Sequence, residues 1–192
     1  FNELIAHYRI LSVNVRIDGT CGSDPVSVVE YAKKLFAEEK TNYGRCFNKV
    51  FCVFDQDQYH LQVQGKKYQS ALSMISSLNP KKTFFPINSV PSFEYWILLH
   101  HIYTTAPFRG IPGQQSSGDQ VMHMLKTYWP DYHKGSHNTF LRALDIDKDN
   151  LETAKRRAFD SLNAALLSGT DNPTTRVHEL ISYLQGLAIP KK

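Results

Sequence analysis

The sequence predicts an α/β protein: a parallel-type sheet flanked by helices, followed by a helical C-terminal part. Three observations carry this expectation. The run "KVFCVF" is continuously apolar, as a strand covered on both faces is. Helical patterns flank it on both sides, and "KTFFPI" supplies a further strand. Strands alternating with helices at these lengths pair in parallel through crossovers.

Taken in order, "FNELIAHYR" reads as the tail of a helix. "ILSVNVRI" alternates, with Leu11, Val13, Val15 and Ile17 on one side, and is expected to be a half-buried strand. "DGTCGSDP" is a loop in which Asp24 caps a helix and Pro25 takes its first position. That helix, "VSVVEYAKKLFAEEK", buries Val28, Ala32 and Leu35. A helix over residues 62–78 joins the strands at "KVFCVF" and "KTFFPI". "SFEYWILLHHIY" is a dense apolar helix, and residues 109–119, rich in Gly, Ser and Gln, form a loop. "DNLETAKRRAFDSLNAALL" is amphipathic along Leu151, Ala154, Ala158, Leu162 and Ala165. In "NPTTRVHELISYLQGL", Asn172 is expected to cap a helix with Pro173 at its first position. The expected division is an α/β core over residues 1–105 and a helical extension over 106–192, packed as one unit.

Composition bounds the function classes. With 192 residues, 42% apolar and 12% aromatic, the chain can bury a core and is not of disordered composition. It has no run of 18 apolar residues and no signal-peptide pattern, so a cytoplasmic protein without membrane contact is expected. Cys21, Cys46 and Cys52 match no zinc spacing and read as free thiols. A net charge of +4 permits a polyanionic partner without requiring one. The first residue is Phe, which suggests a fragment with something upstream.

Chemistry-bearing residues concentrate at strand ends, where open α/β sheets hold their ligands. Asp55 and Asp57 follow the apolar strand at i and i+2, a spacing at which two carboxylates converge on Mg²⁺. A polar turn, a glycosyltransferase-type DxD or a haloacid-dehalogenase-like phosphatase with Asp55 as nucleophile would use the same residues. Glu94 heads a helix too apolar to leave it solvated, so it needs a partner, a metal or a proton. On helical spacing it shares a face with Ile97, Leu98 and His101, while His100 falls beside Trp96. His100 fits a catalytic role or a core role bonded to a backbone carbonyl. Ser23 and Asp24 stand at a helix start, suited to phosphate or to plain capping. "YWPDYHKG" offers aromatics and Lys134 to a nucleic-acid strand, or simply to packing. His123, His133 and His137 are a weak metal pattern, and "KRR" at 155–157 is a solvated face by default.

Together "GSDPVSVVEYA", "VFCVFDQDQYH", "SVPSFEYWILLHH" and "DNPTTRVHELISYL" resemble the RloB-like proteins, a Toprim-related group encoded beside bacterial restriction-modification and phage-defence loci. "YHKG" resembles a Tyr-x-Lys-Gly stretch of that family. The likeness runs through nearly the whole chain in order. It departs at Val90, where the family has Asn, at Gln56 and Gln58, and at His60, displaced by one. The resemblance implies a Toprim-like sheet whose first strand, with its acid/base glutamate, precedes this chain. It also implies that Asp55 and Asp57 hold Mg²⁺ or Mn²⁺, with Glu94 a third acidic member and His100 of unassigned role. The expected activity is phosphodiester hydrolysis of DNA or RNA, tRNA included, in phage defence. A homodimer and an ATPase or other defence-locus partner fit the same resemblance. The alternative is a non-catalytic sensor or partner subunit that binds nucleotide or nucleic acid.

Overall fold

The computed structural model describes residues 1–10, 15–56, 64–78, 83–111, 113–135 and 148–188. In chain order the elements are α1 (Asn2–His7), α2 (Pro25–Tyr43), β1 (Val50–Asp55), α3 (Gln64–Ser77), β2 (Phe84–Val90), α4 (Glu94–Leu98), α5 (Ser117–Tyr128), α6 (Lys148–Ser168), β3 (Thr174–Thr175) and α7 (Val177–Gly186). The architecture is mixed α/β, a largely parallel open sheet flanked by helices and closed by a C-terminal helix.

The sheet order is β1-β2-β3. β1 and β2 run parallel from Val50↔Phe84 to Asp55↔Ser89, with α3 as the crossover that a parallel pair requires. β3 adds a short antiparallel edge through Ser89↔Thr175 and Val90↔Thr174. The ladder continues past the strands, since Gln56 N–H donates to Ser89 O and Arg176 N–H to Asn88 O. The end of β2 is thus held from both sides, and the hydroxyls of Ser89 and Thr175 meet at 3.0 Å.

Two apolar clusters lie on the two faces of this sheet's helical packing. The larger contains Leu4, Ile87, Trp96, Leu98, Val121, Leu125, Ala154 and Ile181, so it draws on residues on both sides of position 105. The smaller sets Val29 of α2 and Tyr68, Ala71 and Ile75 of α3 against Cys52, Phe54 and Val90. α2 starts as its sequence dictates: Asp24 accepts from Ser27 N–H, Pro25 is the first residue, and Gly44 ends it at φ 63°.

Several expectations need correction. Of the anticipated first strand, Ile10 and residues 15–17 are outside any strand among the described residues, and Ile17 is exposed; residues 11–14 lie outside the described residues. The apolar helix expected over 92–103 is regular only over Glu94–Leu98, then continues as turns to residue 101. The expected loop at 109–119 already contains the first turn of α5, which Ser116 and Asp119 start with a reciprocal capping box. Asn172 caps no helix: Thr174 and Thr175 enter the sheet first, and α7 begins only at Val177. The stripe of α6 runs through Leu151, Ala154 and Ala158 as expected, then passes to Ser161.

Asn172 instead ties distant segments together. Its Oδ1 accepts from Phe108 N–H at 3.2 Å and its Nδ2 donates to Phe108 O at 2.8 Å. Asn172→Ala strands both buried backbone groups, and about 3 kcal/mol of stability should be lost. Urea denaturation measures this, and a loss under about 1 kcal/mol would show that the bridge matters little.

Candidate acidic site at the sheet edge

The site is built where β1 and β2 end. Asp55 is the last residue of β1 and lies in register with Ser89. The loop carrying Asp24 reaches the same region, because Lys67 of α3, the helix following β1, meets Asp24 Oδ2 at 2.6 Å. Lys67 is the first cause of the low Asp24 pKa, with the Ser27 bonds adding to it. Asp24 is therefore engaged as cap and ion-pair partner, and Ser23 is exposed beside it.

Glu94 opens α4, whose Tyr95, Trp96 and Leu98 are wholly buried. A helix apolar all round belongs in a core, and its first residue is carried in with it. Glu94 is only 4% exposed. Its Oε1 accepts from the Tyr132 hydroxyl at 3.4 Å and meets Lys134 Nζ at 3.2 Å. Its Oε2 is buried and has no hydrogen-bond partner among the described residues.

Tyr132 and Lys134 come from the turn that follows α5. Tyr132 N–H donates to Trp129 O, and the two rings meet edge to face at 5.4 Å. Gly135, at φ 73°, turns the chain immediately after Lys134. Burial raises the Tyr132 phenol far above its ordinary range, and Glu94 and then Asp55 push it further the same way. Tyr132 therefore stays protonated as a donor, within electrostatic reach of both carboxylates. The Lys134 charge also helps lower Asp119, after the larger effect of its Ser116 hydrogen bonds.

The remaining candidates separate from this centre. His100 is 5% exposed, with Nδ1 at 3.1 Å from Trp96 O and its ring edge-on to the indole. Burial lowers its pKa to about 4, so at neutral pH it is an uncharged histidine inside the apolar core. His101 stacks on Tyr128. His123 and His133 are exposed. In "KRR", Arg157 donates to Leu99 O at 2.7 Å and Lys155 bonds Glu152 and Gln185, so two of the three serve packing. Asp57, His60 and His137 lie outside the described residues.

Among the described residues, no three His, Cys, Asp or Glu side chains come together as metal ligands. Two carboxylates nevertheless suit Mg²⁺, which keeps most of its shell as water and phosphate oxygens. The buried, unpartnered Glu94 Oε2 is the donor that fits such an ion. Sequence reasoning passed over Tyr132, assigning it only to stacking or packing. Its available signal was the Tyr-x-Lys spacing, which brings both side chains onto one carboxylate oxygen.

The fold is that of an α/β protein in which Asp55 ends one strand of a parallel pair and Glu94 follows the carboxyl end of the other. The chain belongs to the RloB-like protein family, whose model matches residues 1–184. No curated protein and no solved structure matches it. No helix among the described residues is long and apolar enough to cross a membrane.

The buried histidine gives a pH dependence. His100 has a native pKa near 4, whereas in the unfolded chain it titrates near the ordinary histidine value of 6.5. Between those values the unfolded state binds more protons, so stability falls as pH drops from 6.5 toward 4 and is unaffected by this group above it. His101 and His178, also lowered chiefly by burial, act in the same direction. Taking wild type from pH 6.5 to 5 should cost about 2 kcal/mol through His100, and His100→Asn should flatten that slope. Equal slopes by urea titration in both proteins would refute the assignment.

Proposed function

We propose that this protein is a divalent-metal-dependent nuclease, hydrolysing phosphodiester bonds of DNA or RNA in bacterial phage defence. The observation that carries the proposal is Glu94, a buried carboxylate whose Oε2 has no hydrogen-bond partner among the described residues, with Asp55 near enough for its charge also to bear on the Tyr132 phenol. Asp55 and Glu94 would hold Mg²⁺ or Mn²⁺, with Asp57, two positions on in the sequence, as a further ligand. Once bound, the ion supplies charge neutralisation for the phosphodiester and for the departing oxygen.

The chain's own residues have definable tasks in this scheme. Tyr132 keeps its proton on Oη and fixes the Glu94 carboxylate through Oε1. The α4 core, anchored by Trp96 and the neutral His100, holds Glu94 in place and keeps water from its inner side. The reaction class is attack of water on phosphorus with expulsion of a sugar oxygen, and the family's upstream glutamate or Glu94 would assist the water.

A second reading has its own support. Lys134 already lies on Glu94 at 3.2 Å, so the acidic centre is partly neutralised by the protein itself. That arrangement suits a non-catalytic subunit that binds nucleotide or nucleic acid and signals to a partner.

Asp55→Ala and Glu94→Gln separate the two. For a nuclease, each should lower cleavage of tRNA, plasmid DNA or single strands by at least about 100-fold while circular dichroism stays native. Activity in the wild type should require added Mg²⁺ or Mn²⁺. Unchanged affinity without turnover in any form would establish the binding subunit instead.

A further inference from the structure

The pair formed by Lys134 and Glu94 is asymmetric. Glu94 is 5% exposed at its side chain, whereas Lys134 is 65% exposed. The carboxylate is fixed by its helix and by Tyr132, but the lysine reaches it from a surface turn ending in Gly135 at φ 73°. The lysine meets Oε1; among the described residues the buried Oε2 has no hydrogen-bond partner. A carboxylate so enclosed needs positive charge, and one exposed ammonium meets half of its lone pairs. Glu94 is therefore paired with a cation whose stem can swing into solvent.

From this we infer that Lys134 is a tethered stand-in for the divalent cation: it neutralises Glu94 in the metal-free protein and is displaced when the ion binds, freeing its ammonium for a substrate phosphate. The inference rests on the cation site proposed above and adds a competitor and a phosphate ligand to it. No covalent step is involved; the exchange replaces one ion pair by another. A lysine suits this better than an arginine, because a point charge on a flexible stem makes no bidentate clamp on the carboxylate. The released charge is placed at the mouth of the site, since Lys134 is exposed where Glu94 is not.

The test is calorimetric titration with Mn²⁺, without nucleic acid, on wild type, Lys134→Gln, Lys134→Arg and Glu94→Gln. Removing the competitor should tighten Mn²⁺ binding by about fivefold in Lys134→Gln, the gain expected for a half-exposed pair. Lys134→Arg should not show that gain, and Glu94→Gln should weaken binding. With Mn²⁺ saturating, binding of a short single-stranded oligonucleotide should weaken in Lys134→Gln, and its salt dependence should decrease. Thermal melting of each variant checks that it is folded. Equal Mn²⁺ affinity in wild type and Lys134→Gln overturns this inference while leaving the cation site standing. No Mn²⁺ binding in any form overturns both. Tighter Mn²⁺ binding in Lys134→Gln, with no cleavage by wild type, keeps the inference and removes the nuclease reading.

Discussion

Glu94 carries the constraint from which the candidate site follows. It begins a helix whose next residues fill the core, so its carboxylate is drawn out of water by the packing of Tyr95, Trp96 and Leu98. An ionised carboxylate in such surroundings is costly unless charge and hydrogen bonds compensate it. Two compensating groups are visible, the Tyr132 hydroxyl and the Lys134 ammonium, and both act on one oxygen. The other oxygen is buried and has no hydrogen-bond partner among the described residues. Packing alone would favour an apolar residue at this position, so the carboxylate points to a task beyond stability.

The sheet supplies the second half of the geometry. β2 is the central strand, paired with β1 from Phe84 to Ser89 and with β3 at Ser89 and Val90. That double hold fixes the chain just before it enters α4, and the same register sets Asp55 opposite Ser89. α3 returns from β1 to β2, and its Lys67 ties the Asp24 loop to the same edge. The turn after α5 then closes over Glu94 through Tyr132. The ends of β1 and β2 thus lie side by side at the carboxyl edge, the place where open α/β sheets bind ligands.

Much of this was legible in the residues, for physical reasons that differ by element. Asp24 with Pro25 and Gly44 mark the ends of α2 by local stereochemistry, and continuous apolarity marks β1. The tension between Glu94 and its apolar neighbours was also visible, since burial of a carboxylate follows from helical packing. What local pattern could not supply was partnership. Asn172 and Pro173 imitate a helix start, but Thr174 and Thr175 are taken first by the edge of β2. Ser116 and Asp119 did carry a local signal for α5, obscured by Gly110, Gly113 and Gly118 around them. Tyr132 became a site residue only through a tertiary contact across 38 positions of chain.

The central claim is that the carboxylates of Asp55 and Glu94 share one divalent cation at the carboxyl edge of the sheet. Anomalous diffraction from crystals grown with Mn²⁺ tests it most directly. The account requires a single strong anomalous peak within coordination distance of both side chains, with Lys134 Nζ withdrawn from Glu94. A peak elsewhere, or intact contact between Lys134 and Glu94 with manganese saturating, would contradict it.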